Sequence, residues 1–226
     1  MKFISIVLVM AAALSAAAQT APANAVQSIQ DNGFLVEEAY NQDPGTLQHA
    51  AIFFHERTYD VWLLNFREEF AMKSQRHQGG FLIPLFRING DTDLGDVTLN
   101  YRYQLKGDRN AAFAVAPRVS LTLPTAEGSD GIGVTVNVPF SRVFTPRVAA
   151  HSNVGGSWLS QNDVTALTLG QSVIFAVTPR LHLMLEGLWV HDSNDDENLT
   201  IINPALRMRF DVAGGKLVPG IGYAFR

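Results

Sequence analysis

Apolar and polar residues alternate with a period of two along most of the chain beyond residue 48. Val97, Leu99, Tyr101, Tyr103 and Leu105 alternate with Thr98, Asn100, Arg102 and Gln104, and Ile132, Val134, Val136, Val138 and Phe140 alternate with Gly133, Thr135, Asn137 and Pro139. Successive side chains of a strand point to opposite faces, so each run predicts a strand with one dry face. Eleven strands follow from this pattern, at 48–57, 60–72, 77–89, 94–105, 110–123, 131–141, 146–158, 163–177, 180–190, 199–211 and 216–226. No helical period of comparable strength occurs in that region.

Alternation does not say whether the dry face meets a core or a lipid. Membrane barrels carry aromatic girdles at both interfaces, and the aromatics here fall at strand ends. Phe70, Tyr103, Phe140, Phe175 and Phe210 finish the apolar face at one end, and Trp62, Trp158 and Trp189 lie at the other. This placement predicts an all-β, antiparallel transmembrane barrel of the outer membrane. Bacterial single-chain barrels have even strand numbers, so twelve strands are expected. The eleven that show leave one missed, one absent, or the first and last paired in parallel.

The N-terminus bears on compartment. Lys2, the apolar run Phe3 to Leu14 and the small residues Ala16-Ala17-Ala18 have the layout of a secretory signal peptide, residues 1–18, with an alternative cleavage after Ala25. Residues 19–47 then form a periplasmic lead-in or a lumen plug, and 48–226 the barrel.

Composition narrows the classes further. With 47% hydrophobic residues, 17% charged and a net charge of −4 in 226 residues, the chain is too apolar for a disordered protein and too acidic for a nucleic-acid binder. The absence of cysteine excludes disulfides, thiolate metal sites and a Cys nucleophile. Sign of charge alternates between connections: acidic ones carry Asp91, Asp96, Glu127, Asp130, Asp163 and the group Asp192, Asp195, Asp196 and Glu197, and basic ones carry Lys73, Arg76, Lys106, Arg109, Arg142, Arg147, Arg180 and Lys216. Longer loops face outward in outer-membrane barrels, so the acidic set is assigned to the exterior.

The segment Phe34 to Gly45, reading FLVEEAYNQDPG, followed by Gln48-His49, Ser74-Gln75-Arg76-His77-Gln78, Leu94-Gly95-Asp96-Val97 and Pro117 to Thr125, resembles the outer-membrane proteins of the phenol meta-degradation pathway family (MetA-pathway of phenol degradation). The similarity covers most of the mature chain through short motifs. It implies a transporter-like outer-membrane barrel linked to uptake of aromatic or other hydrophobic compounds, and identifies no catalytic residue. It also implies one more strand, ending in Phe, than this sequence carries after Val218 to Ile221.

Candidate chemistry is sparse. His151 and Ser152 are adjacent in a strand and point apart, so they do not share a site without a bulge. The six histidines lack metal-ligand spacing, and the run 192–198 lacks the glycine and terminal glutamate of a calcium hand. The polar phase of the strands predicts a lumen lined by Arg102, Arg118, Asn137, Arg147, His151, Glu186, Asn203, Arg207 and Arg209. A narrow net-positive wall suits a passive channel for small solutes, and the same charges paired across the lumen suit a structural or surface-interaction barrel with a plugged lumen. A lipid-modifying enzyme needs outward polar pairs, and only Glu68 and Gln171 break the dry phase. The expected partners are outer-membrane lipid, lipopolysaccharide, the barrel-assembly machinery and a small-molecule solute, with no nucleic acid and no cofactor.

Overall fold

The computed structural model describes residues 4–15, 33–160 and 164–226. Among them one antiparallel sheet contains β1 (Ile4–Ser15), β2 (Thr46–Glu56), β3 (Val61–Met72), β4 (Ser74–Ile88), β5 (Asp91–Leu94), β6 (Thr98–Tyr103), β7 (Phe113–Val115), β8 (Arg118–Thr122), β9 (Gly133–Thr145), β10 (Val148–Leu159), β11 (Val164–Thr178), β12 (Leu181–Asp192), β13 (Glu197–Met208), β14 (Phe210–Val212) and β15 (Gly215–Phe225). Three are continuations of a neighbouring stave: β5 with β6 against β4, β7 with β8 against β9, and β14 with β13 against β15. Fifteen strands therefore make twelve staves. β1 pairs with β2 on one side and β15 on the other, which closes the sheet into a barrel.

Eleven staves coincide with the runs read from sequence. The twelfth is β1, built from the residues in which sequence reads an export signal. Both cleavage positions, after Ala18 and after Ala25, lie outside the described residues. β2 and β15 each run antiparallel to β1 and hence parallel to one another, so removal of β1 would leave two open edges or a parallel pair.

Local chemistry sets the turns. Asn89 and Gly90 both take positive φ, 55° and 94°, as the type I′ hairpin between β4 and β5 requires. The sequence Thr-Pro-Arg makes two turns, 145–147 and 178–180, in which the Thr hydroxyl accepts the Arg backbone N–H at 3.2 Å. The acidic connection after β12 spans four residues, 193–196, and the basic turns after β9 and β11 span two each, 146–147 and 179–180. The long basic connection 104–112 and the short acidic turn 89–90 run against the assignment of longer loops to the acidic end.

The barrel is inverted relative to a soluble one. Leu99, Leu121, Val136, Val154, Leu169, Val173, Leu185 and Ile202 are exposed on the outside, whereas Gln78, Arg102, Asn153, Glu186 and Asn203 are buried on the inside. Outward apolar side chains around an inward polar wall are what a lipid-embedded barrel needs. Among the described residues no helix is long and apolar enough to cross a membrane.

Candidate functional site: the inner wall and the segment bound to it

Residues 33–43 form neither strand nor helix, yet Val36, Glu38, Ala39, Tyr40, Asn41 and Gln42 are buried. A buried backbone without a ladder must satisfy its amides elsewhere. Here the inward side chains of successive staves do so. Glu186 on β12 accepts from the N–H groups of Leu35 and Val36, each at 3.2 Å. Asn153 on β10 accepts from Glu37 N–H at 2.7 Å and donates to its carbonyl at 2.9 Å. Ser141 Oγ on β9 accepts from Ala39 N–H at 2.7 Å. Gln104, just past β6, accepts from Asn41 N–H and donates to Ala39 C=O, both at 2.8 Å. Gln78 on β4 accepts from Gln42 N–H at 2.7 Å. The segment thus crosses the inner wall from β12 to β4 before Thr46 opens β2.

Charges fasten the same segment. Arg102 donates to Asn41 Oδ1 and Tyr40 C=O at 2.7 Å and to Glu38 C=O at 3.3 Å. Arg118 pairs with Glu37, Arg207 with Glu38 at 2.8 Å, and Arg109 with Asp43 at 3.0 Å. At the β12 end the filling is apolar: Phe34 packs with Ala50, Ile52, Ile174, Met184 and Val218. Gly220 is required there, because a Cβ on it would lie 2.8 Å from the Phe34 ring.

Of the expected lumen residues, Arg102, His151, Glu186, Asn203 and Arg207 are buried inside, and Arg118 and Asn137 are half-buried beside Glu37. Two are corrected. Arg147 is exposed in the turn after β9, because that strand runs on to Thr145 and carries the arginine past the wall. Arg209 sits at the break between β13 and β14 and pairs with Asp211 at 2.8 Å, away from the segment. The same extension of β9 leaves Phe140 inside the outer belt, with exposed Phe144 nearer its end. Trp62, Phe70, Tyr103, Trp158, Phe175, Trp189 and Phe210 lie on outward faces near strand ends, Tyr103 packing on His77 and Trp189 on His191. Asp192 ends β12 and accepts from Asn194 N–H at 2.9 Å; Asp195, Asp196 and Glu197 are exposed.

Sequence reasoning did not name Glu37, Glu38, Asn41 and Gln42 as interior groups, nor Gln78, Gln104, Ser141 and Asn153 as the wall groups that hold the segment. All four partners lie on polar phases, so the signal was present, but nothing in a period identifies what a polar phase will bind. The two polar breaks in the dry phase are each answered across a strand, Glu68 by His49 and Gln171 by Ser152 at 2.6 Å. His151 meets Ser141 at 2.7 Å instead of Ser152, and that hydroxyl already holds Ala39.

At the acidic end Asp96 organises the connection 123–132. Its carboxylate accepts from Thr125 N–H (2.9 Å), Ala126 N–H (2.8 Å) and Ser129 Oγ (2.7 Å). Partial burial raises its pKa, but these three hydrogen bonds outweigh it and hold the carboxyl below its ordinary value. A depressed folded-state pKa contributes stability above the unfolded value and loses it as pH falls through the folded one. Hydrogen exchange of the Thr125 and Ala126 amides, corrected for intrinsic rates, is expected to lose protection only below the ordinary carboxylate range. In Asp96→Asn that acid-dependent loss should be absent.

No family model and no curated protein matches the chain, so the short-motif resemblance to the phenol meta-degradation family has no such match behind it. Among solved structures, the COG4313 outer membrane channel from Pseudomonas putida F1 superposes with a TM-score of 0.47 at 14% identity, over 99% of this chain and 94% of that one. A bacterial polysaccharide outer membrane secretin superposes with a TM-score of 0.44 at 9% identity, over 98% and 78%. Likenesses this loose add nothing to the argument, and the barrel rests on the strand pairing of this chain.

Proposed function

We propose that the protein is an outer-membrane β-barrel channel for small solutes, held shut by its own segment 33–43. The observation that carries this reading is that a segment with no strand of its own crosses the inner wall on side-chain bonds. Among the described residues its backbone makes no ladder pairing with a strand, and its contacts with strand backbone run through side chains such as Asn41, which donates to the Gln75 and Arg76 carbonyls of β4. It can therefore leave while the ladder stays intact. The apolar belt supports a membrane location, and the closure of an antiparallel sheet around a polar interior supports the outer membrane. The phenol-family resemblance favours aromatic solutes among the small ones. Catalysis has no place in the reading, because the Ser141–His151 pair is committed to holding Ala39.

The test replaces residues 33–42 by a Gly/Ser linker of equal length and compares both proteins in planar bilayers after recovery from outer membranes. The linker protein should conduct several-fold more than the intact one while keeping heat-modifiable migration. A folded linker protein as silent as the intact one would overturn the channel reading. That result would favour the structural barrel, for which the Phe34 cluster filling the interior is the supporting observation.

A further inference from the structure

Three guanidinium groups face the carboxylate of Glu37. Arg118 on β8 pairs with it, Arg102 Nη1 on β6 stands 4.0 Å from its Oε2, and Arg67 on β3 adds a third positive charge. Asn137 on β9 hydrogen-bonds the same group. Arg67 has Glu69 at 3.8 Å as its own acidic neighbour. Two buried atoms here, Glu37 Oε2 and Arg118 Nε, have no hydrogen-bond partner among the described residues. Glu37 therefore fills the cradle incompletely and leaves a donor over.

The four cradle groups belong to the wall, whereas Glu37 belongs to the segment. Without it the wall presents three arginines to one nearby carboxylate, Glu69. Buried charges stripped of a partner are costly, so whatever displaces the segment must supply a negative group at this point. Guanidinium presents its donors in a planar fork that matches a carboxylate, often two at a time. We infer that Arg67, Arg102, Arg118 and Asn137 form a binding site for a carboxylate-bearing solute, and that the Glu37 side chain occupies it as a tethered stand-in. This names the solute class for the proposed channel and rests on that reading only for the route by which solute arrives.

The experiment excises the stand-in and offers it back in free form. Glu37→Ala in the full chain removes a carboxymethyl group and keeps Cβ, so the probes are propionate as a short free carboxylate, its neutral isostere propionamide, and sodium chloride at equal ionic strength. In detergent, about 100 mM propionate should raise the thermal midpoint of Glu37→Ala by about 2–4 °C. Propionamide and chloride should not, and neither the intact protein nor Glu37→Ala combined with Arg118→Ala should respond to propionate. If Glu37→Ala does not refold unaided, refolding yield is read instead, with propionate alone restoring it several-fold. Equal effects of propionate and propionamide, an unchanged response in the double variant, or no response at all would overturn the site. The two readings fail separately: a silent linker protein sinks the channel and leaves propionate selectivity standing, and lost selectivity sinks the carboxylate site and leaves conductance standing.

Discussion

Arg102→Ala is expected to destabilise the barrel by about 3–5 kcal/mol and to release the middle of the inner segment. This guanidinium is 2% exposed and donates to three acceptors of the segment: Asn41 Oδ1, Tyr40 C=O and Glu38 C=O. Truncation leaves all three buried without that donor, at a cost of about 1–3 kcal/mol for each group stranded, reduced by whatever relaxation the site allows. It also removes one of the positive charges facing Glu37, and breaking a buried charge network costs about 3–5 kcal/mol. Arg102→Lys should recover only part of the loss, because one ammonium cannot reproduce a planar fork that spans three acceptors. The measurement is the urea midpoint of the refolded protein, with protease cleavage between residues 38 and 42 as a second readout. Arg102→Ala unfolding at the midpoint of the intact protein would show that these bonds contribute no net stability over those the same groups make with water. The exposed pair Arg180–Asp211, 3.2 Å apart, is the control, and its loss should cost less than about 1 kcal/mol.

The wall was legible in sequence because period two is imposed by strand geometry itself. Leu99 and Tyr101 fall outside and Arg102 inside for the same reason that residues i and i+1 of any strand part company. Breaks at Pro117 and Arg209 did not hide their staves, since the alternation keeps its phase through each interruption. What the period cannot show is an element with no period. The stretch from Gly33 to Asp43 has neither repeat, and its bonds are made with side chains up to 169 positions away, as between Glu38 and Arg207. It drew notice only as a short motif and as a stretch before the first barrel strand, a periplasmic lead-in or a lumen plug. β1 was hidden for another reason: an apolar run long enough for an export signal is also long enough for a barrel strand, and composition does not separate the two. Arg147 was misplaced by a boundary, since a strand that runs four residues longer turns an inward position into part of a turn.

Glu186 should give the other large effect, at the opposite end of the segment. Its carboxylate is fully buried and accepts from Leu35 N–H, Val36 N–H and, at 2.9 Å, Asn203 Nδ2. Glu186→Ala strands three donors together, which at about 1–3 kcal/mol each points to a loss of about 3–6 kcal/mol after partial relaxation. Gly33→Ala attacks the same contact from the segment side. A methyl group there would press on the Glu186 carboxylate and lie 2.6 Å from the Val36 carbonyl, an overpacking that costs about 1–3 kcal/mol. The pair of variants separates two roles for residues 33–43. If the segment is a gate, both should expose residues 34–37 to protease at urea concentrations where heat-modifiable migration still reports an intact barrel. Should cleavage begin only where the barrel itself unfolds, the segment is part of the folding core, and opening by its departure is excluded. Gly33→Ala carries the decision, because it leaves every wall residue unchanged and any early cleavage then belongs to the segment alone.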